Sequence, residues 1–197
     1  SPTIALEATH DLPRWFWAPD GEAYEGTRRA PCDLPCLADS IRQVRDHGRT
    51  HHINRLMVQG NFATLFGVAP AALSRWFWAA FTDAYEWVEL PNVAGMATWG
   101  DGGVIASKPY VSTGQYIQRM GNHCGSCRYD PKQRTGERAC PFTLLYWDFL
   151  DRHRARFAQH PRMGMMVRNL ERIPEGELAQ IRREAAAFRE RVGAHRA

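Results

Sequence analysis

Apolar residues recur along the chain at the three- and four-residue spacing of an amphipathic helix. Residues 36–48 repeat Leu37, Ile41 and Val44 at this spacing, and Gly48 is a typical helix end. A second stripe runs from Thr50 to Gly67 through six apolar positions: Ile53, Leu56, Met57, Phe62, Leu65 and Phe66. Pro70 opens a third, which continues through Leu73, Trp76, Phe77, Ala80 and Phe81. The pattern predicts three successive helices.

The rest of the chain divides into an irregular lead-in, a long loop and further helices. Residues 1–35 hold five of the twelve prolines and no sustained periodicity, which predicts an irregular lead-in before a helical domain at 36–197. Six residues that break helices predict that 88–114 is an ordered loop crossing a functional site: Pro91, Gly95, Gly100, Gly102, Gly103 and Pro109. Helices are expected around 115–120, over 141–158 and over 175–192. Because strand alternation is missing, the predicted fold class is all-α.

Composition places the chain among folded, water-soluble proteins. It has 44% hydrophobic residues and a net charge of +4, and no apolar run reaches the roughly 18 to 20 residues of a membrane span. The first residues lack the pattern of a signal peptide, so we expect a cytoplasmic protein. Residues 151–197 hold eleven arginines against six acidic residues. Such a run is typical of a solvated helix and also of a surface that attracts nucleic acid.

Five cysteines in a chain expected to be cytoplasmic are unlike a disulfide framework, because reducing conditions disfavour disulfides and the number is odd. Metal ligation is the better interpretation. Cys124 and Cys127 form a CxxC motif with small central residues, which lets two thiolates turn toward one centre. Twelve residues separate Cys127 from Cys140, and Pro141 follows directly.

The spacing leaves both the fourth ligand and the metal open. The fourth thiolate comes from Cys32 or Cys36. Proline after a last cysteine is familiar from iron-sulfur sites. Zinc binds the same thiolate sets, and His123 is an alternative zinc ligand. Cysteines that bind no metal are the third alternative.

Four blocks of sequence resemble the bacterial iron-sulfur cryptochrome and photolyase family, in the order and spacing that the family shows. They are HHINRLMVQGNF at 51–62, DAYEWVELPNVAGM at 83–96, GGVIASKPYVSTGQYIQRM at 102–120 and CGSCRYDPKQRTGERACPFTLLYWDFL at 124–150. The match runs almost continuously from about Cys36 to about Arg162. The resemblance implies an all-helical domain that binds FAD in a folded-back shape beside a 4Fe-4S cluster.

The resemblance also implies a ligand set for the cluster. The family's first ligand precedes the paired-histidine helix in an xCL context, which Cys36 before Leu37 matches. The implied ligands are therefore Cys36, Cys124, Cys127 and Cys140. Cys32 then falls in an insertion between Trp17 and Cys36, as a free thiol or as an alternative ligand.

Members of the family repair (6-4) pyrimidine photoproducts in DNA or act as blue-light receptors. His51 and His52 match paired histidines of the repair enzymes, one of which moves a proton onto the lesion, a task suited to an imidazole. Arg55 matches an arginine that faces the lesion or the flavin. Glu89 and Asn92 match the segment around the flavin rings and are its expected polar contacts.

The resemblance assigns two further sets of residues. Lys108 and Tyr110 match the part of the family pattern that lines the cavity for damaged DNA. Trp17, Trp76 and Phe77 match the aromatic chain that carries electrons from the surface to photoexcited flavin. Members often have tyrosine where Phe77 stands, and phenylalanine has no proton to lose on oxidation. Photoreduction is then impaired or rerouted through Trp78.

Family members also have an amino-terminal α/β antenna domain and further flavin-binding helices, which this sequence lacks. Another part of a longer chain, or a second fragment, would have to complete the flavin pocket. Three hypotheses follow: a light-driven lyase acting on (6-4) photoproducts with a structural cluster, a light or redox receptor without repair, and a cluster-holding fragment without flavin. No membrane partner is expected.

Overall fold

The structure, a computed structural model, describes residues 5–21, 23–24, 27–28, 30–85, 87 and 91–193. In this part of the chain nine α-helices are defined: α1 Pro35–His47, α2 His52–Asn54, α3 Asn61–Phe66, α4 Pro70–Ala80, α5 Gly114–Met120, α6 Pro141–Arg152, α7 Arg154–Phe157, α8 Gly164–Arg168 and α9 Glu175–Val192. Short 3-10 helices lie at Arg14–Phe16, His123–Gly125 and Asn169–Arg172, and π-helices at Arg55–Gly60 and Asn92–Ala97. Two antiparallel strands, Ala23–Tyr24 and Thr27–Arg28, pair within the lead-in.

The helix boundaries follow local chemistry. Pro35, Pro70 and Pro141 each stand at the start of a helix, where the missing N–H costs no hydrogen bond. Gly48 ends α1 with φ 65°, and Gly67 ends α3 with φ 91°, a left-handed conformation that glycine adopts without strain. The predicted all-α class and the helices at 36–48, 70–81 and 175–192 are confirmed.

Two departures from the sequence pattern concern π-helical turns. The stripe from Thr50 to Gly67 forms α2 and α3 with the π-helix Arg55–Gly60 between them. The second π-helix, Asn92–Ala97, lies in the stretch predicted to be loop, so that prediction was wrong for these six residues. The two π-helices pack together at Gly60, where an added Cβ would lie 3.2 Å from the Cβ of Ala97. Periodicity in sequence does not reveal such close backbone packing.

The core is aromatic and joins the lead-in to the helices. Phe62 is fully buried at its centre, and its ring lies 5.6 Å from that of Phe142 on α6 and 6.4 Å from that of Phe188 on α9. Trp15 and Phe16 of the lead-in contact the same ring at 6.3 Å. Residues on both sides of position 35 therefore share one hydrophobic core.

Helices α6 and α9 pack along each other and carry a buried ion pair. Arg189 donates to Asp148 at 2.5 Å and to the carbonyl oxygens of Phe66 and Leu65, the last residues of α3. The arginine thus satisfies carbonyl groups that a helix end leaves without a partner. Among the described residues, no helix combines the length and apolar character needed to cross a membrane.

Candidate functional site

Four cysteines from separate elements line one small cavity. Cys36 lies in the first turn of α1, Cys124 in the 3-10 helix His123–Gly125, Cys127 just after it, and Cys140 caps the N-terminus of α6. The remaining wall is mainly apolar: Leu34, Pro35, Gly114, Ile117, His123, Tyr129 and Phe142. Cys32 is not among the lining residues; its buried thiol lies 3.7 Å from the carbonyl oxygen of Leu34.

Burial and neighbouring thiols both affect the pKa values of these cysteines. Burial raises the pKa of the Cys36 thiol well above its ordinary value, and the neighbouring thiols of Cys140, Cys124 and Cys127 add to the effect. Burial also raises the pKa of Cys140 to about 11, against the opposite effect of backbone N–H groups at Phe142 and Thr143. Thiolates here need a positively charged centre to be stable.

Helix ends and backbone donors supply part of that stabilisation. Cys36 and Cys140 stand at the N-termini of α1 and α6, where the helix dipole favours negative charge. The backbone N–H of Tyr129 donates to Cys127 Sγ at 3.5 Å. The Tyr129 hydroxyl in turn donates to Asp33 at 2.7 Å, and Arg191 of α9 donates to the same carboxylate oxygen at 3.3 Å. Asp33 thus ties the cysteine loop to α9.

The geometry of the four thiols does not by itself mark a metal site. In the described part of the chain, no group of three or more His, Cys, Asp or Glu side chains has the geometry to hold a metal ion. What the structure shows is that the four cysteines line one cavity.

A second cavity, of about 290 Å³, gathers residues from the π-helices and α4. Four residues singled out in the sequence line it: His52, Arg55, Phe77 and Asn92. Leu56, Asp83, Val93, Met96 and Ala97 complete the lining. Its volume is at the lower end of the range for small-molecule pockets, about 300–1,000 Å³.

Arg55 is held in place at this cavity by two hydrogen bonds and a ring contact. Its Nη2 donates to Asp83 Oδ2 at 2.7 Å, its Nε donates to the Thr50 carbonyl oxygen at 3.2 Å, and its guanidinium lies 4.3 Å from the ring centroid of Phe81. The arginine lowers the pKa of the Asp83 carboxyl. Asp83 was not singled out in the sequence, although it opens one of the four matching blocks. A carboxylate within reach of the predicted arginine is visible only in the fold.

The two histidines have different positions. His52 lines the cavity, whereas the Nδ1 of His51 accepts a hydrogen bond from the Ile53 backbone N–H at 3.2 Å and caps α2. In a neutral His51 the proton is then on Nε2. Glu89 lies outside the described residues. Lys108 and Tyr110 are half-buried and do not line this cavity; Tyr110 packs against the core.

The aromatic residues of the predicted electron path are partly contiguous. Trp76 is buried, its ring lies 5.2 Å from that of Phe77, and Phe77 forms a wall of the second cavity. On the other side the Trp76 ring contacts Phe16 at 4.9 Å, and its indole N–H donates to the Phe16 carbonyl oxygen at 2.9 Å. Trp17, the next residue, is 57% exposed. Trp76 therefore lies next to the cavity wall, and Trp17 lies at the protein surface.

No protein-family model matches the chain. Over 183 residues, 93% of its length, it is 42% identical to a (6-4) photolyase of Agrobacterium fabrum. This similarity supports the photolyase and cryptochrome family. The all-helical fold is consistent with the FAD-binding domain of a photolyase. The chain spans 34% of the length of this relative.

A second relative is an uncharacterized protein of Acanthamoeba polyphaga mimivirus. It is 33% identical over 66 residues, which cover 34% of this chain and 54% of that protein. Because that protein is uncharacterized, the similarity indicates no function.

Proposed function

We propose that this chain is the helical flavin-binding portion of a DNA photolyase that repairs (6-4) photoproducts with light, and that it holds a 4Fe-4S cluster. The observation that carries the proposal is the 42% identity to a (6-4) photolyase over 93% of the chain. The gathering of predicted site residues around two cavities supports it.

In this proposal the second cavity receives the isoalloxazine end of FAD. Arg55 and Asn92 supply polar groups to it, and Glu89 belongs to the same set. When bound and reduced, FAD supplies a light-driven electron to the lesion. A cavity of about 290 Å³ is small for the whole dinucleotide. We therefore include a further part of a longer chain, or a second fragment with the antenna domain, as the partner that completes the pocket.

The proton chemistry falls to the histidine pair. His52 lines the cavity and is the proposed proton donor to the lesion. His51 is held by its hydrogen bond to Ile53 at the start of α2 and orients its neighbour. Lys108 and Tyr110 are the proposed contacts to damaged DNA, through phosphate attraction and through ring stacking on an extruded base.

The cluster is assigned to Cys36, Cys124, Cys127 and Cys140. A cluster binds each cysteine through a different iron atom, so it separates the four sulfur atoms more widely than a single ion does. The shared cavity of the four cysteines supports this assignment. Its proposed role is structural, because it joins α1, the loop of Cys124 and Cys127, and α6.

Anaerobic purification followed by absorbance, iron and sulfide analysis tests the cofactors. In this and the following experiments, the wild type is the chain together with the part that completes the flavin pocket. We expect flavin, iron and acid-labile sulfide in the wild type, loss of iron and sulfide in Cys36→Ala, and retention in Cys32→Ala. Zinc without sulfide would overturn the cluster assignment.

Repair is tested with an oligonucleotide that carries one (6-4) photoproduct, under blue light. We expect repair by the wild type and by the exposed control His47→Ala, and at least about a hundredfold loss in His52→Ala, the usual scale of acid-base catalysis. Photoreduction of flavin without repair in the wild type would identify a receptor. Iron and sulfide without flavin would identify a cluster-holding fragment.

A further inference from the structure

A row of polar side chains connects the two cavities. We call the cavity lined by Cys36, Cys124, Cys127 and Cys140 the cysteine cavity, and the cavity lined by Arg55 the Arg55 cavity. We call Asp39, Gln43, Thr50 and Asn54 the polar link. At one end, Asp39 Oδ2 lies 3.7 Å from Nε2 of His123, which lines the cysteine cavity beside Cys124. At the other end, Thr50 contacts the Arg55 side chain. The two sites are otherwise built from different helices.

Each contact of the link is a hydrogen bond of ordinary length. Gln43 Nε2 donates to Asp39 Oδ2 at 2.8 Å, and Thr50 Oγ1 donates to Gln43 Oε1 at 2.7 Å. Asn54 Nδ2 donates to Thr50 Oγ1 at 3.1 Å, and the Thr50 carbonyl oxygen accepts from Arg55 Nε at 3.2 Å. The four contacts form one connected path.

The donors of the link all point the same way. From Asn54 through Thr50 and Gln43, every donor is directed toward the Asp39 carboxylate. Hydrogen bonds arranged head to tail polarise one another, so the charge near Asp39 affects the whole row. Thr50 is buried, which keeps water from replacing its two partners.

Helix α1 carries one end of this row together with Cys36, and its C-terminal end contacts the segment that holds Asp83. Cys36, Asp39 and Gln43 are spaced three and four residues apart, so they lie on one face of α1. At the end of α1, the Gly48 carbonyl oxygen accepts from the Thr82 backbone N–H at 2.9 Å, and Asp83, the next residue, pairs with Arg55. A shift of α1 therefore reaches Arg55 by two routes.

We propose that the polar link couples the cysteine centre to the Arg55 cavity, so that loss of the centre weakens flavin binding. Gln43 is the positioning residue at its middle and touches neither cavity. This inference rests on the proposed function, since it takes the cluster and FAD as the two ligands. Coupling between sites is reciprocal, so flavin also stabilises the cluster.

The test removes the centre of the link without touching either site. Gln43→Met keeps side-chain length and helix propensity but loses both hydrogen bonds. Gln180→Met is the matched control, because Gln180 Nε2 donates to Glu184 Oε1 at 2.7 Å with the same four-residue spacing on α9. FAD affinity is measured by fluorescence with the cluster intact and after its removal by ferricyanide and chelator.

We expect cluster removal to weaken FAD binding about fivefold or more in the wild type and in Gln180→Met, and by a smaller factor in Gln43→Met, where only the route through Gly48 and Thr82 remains. Equal loss in all three proteins, or no loss in the wild type, would overturn the inference alone. A wild type without iron, sulfide and flavin would overturn the proposed function and the coupling with it.

Amide hydrogen exchange of the cofactor-free protein tests the polar link without any ligand. We expect the amides of residues 50–55 to exchange faster in Gln43→Met than in the wild type or in Gln180→Met, because the Thr50 hydroxyl loses its acceptor on Gln43. Unchanged exchange at these residues would show that the row does not hold the start of α2, and the inference would fail.

Discussion

Gly114 lies directly against the thiol of Cys140, so that a β-carbon at position 114 would approach Sγ to 2.6 Å. The same β-carbon would lie 3.2 Å from the Cβ of Pro131 and 3.3 Å from Thr143 Oγ1. The Gly114 N–H also donates to Thr143 Oγ1 at 3.1 Å, which fixes α5 against α6. The cysteine cavity therefore has a wall where only glycine fits.

Gly114→Ala is expected to displace Cys140 and to lower both metal content and stability. Overpacking of this kind costs about 1–3 kcal/mol. Iron per chain and the urea midpoint measure the two effects. The control Gly176→Ala meets no atom within 4 Å and lies in the first turn of α9, so it should be neutral or slightly stabilising. Full iron content in Gly114→Ala would contradict the packing argument.

Arg189→Met should destabilise the protein by about 3 kcal/mol. The substitution leaves the buried Asp148 carboxylate with Arg152 as its remaining partner, and it removes the donor to the Phe66 carbonyl oxygen. Urea unfolding monitored by circular dichroism gives the loss. Arg183→Met on the exposed side of the same helix should change the free energy of unfolding by less than about 0.5 kcal/mol. Equal effects of the two variants would rule out the buried network.

The lowered pKa of His153 predicts that the protein loses stability in mild acid. Burial lowers its pKa to about 4, and the charges of Arg152 and Arg156 act in the same direction. Between its ordinary pKa of 6.5 and about 4, the unfolded chain binds more protons than the folded protein. Stability therefore falls as the pH drops through this window, and the loss attributable to His153 is complete below about pH 4. Asp148 opposes the effect and Arg189 adds to it.

His153→Phe should remove this part of the acid sensitivity. The ring contacts Phe149 at 4.7 Å and Phe157 at 6.0 Å, so an apolar ring suits the site. We expect the substitution to raise the free energy of unfolding by about 2 kcal/mol more at pH 4 than at pH 7. This is less than the full shift of the His153 pKa implies, because His153 is only half-buried. Parallel pH profiles of melting temperature for the two proteins would refute the assignment.

Electron transfer to flavin is expected to depend on Trp76 and to improve in Phe77→Tyr. Trp76 lies next to the cavity wall formed by Phe77, and a phenol oxidises more readily than a benzene ring because it releases its proton. Blue-light photoreduction of bound flavin should be lost in Trp76→Phe and accelerated in Phe77→Tyr. Trp78, which is 61% exposed, tests the alternative path, and Trp78→Phe should leave photoreduction unchanged if the path runs through Trp76. A loss in Trp78→Phe would indicate the rerouted path.

Most helices could be predicted from local sequence features, whereas those that depend on packing between segments could not. Proline marks the start of α1 and of α4, and glycine marks the end of α1 and of α3. These boundaries could be predicted because both residues have backbone preferences that do not depend on the rest of the fold. The π-helix Asn92–Ala97 contains Gly95 and follows Pro91, which made the segment look irregular. Its close packing against Gly60 supplies the stabilisation that its own sequence lacks. Helix α8 was missed for a similar reason, since five residues carry too little periodicity.

The sequence by itself determined the all-helical class, the residue types available for thiolate and proton chemistry, and the family that they resemble. Only the tertiary structure decided which residues meet. It put Cys36 and Cys140, over a hundred positions apart, on one cavity, and it paired Arg55 with Asp83. It also joined the two sites through Gln43. Periodicity records which face of a helix is buried, whereas contacts between distant segments depend on how all the faces pack together.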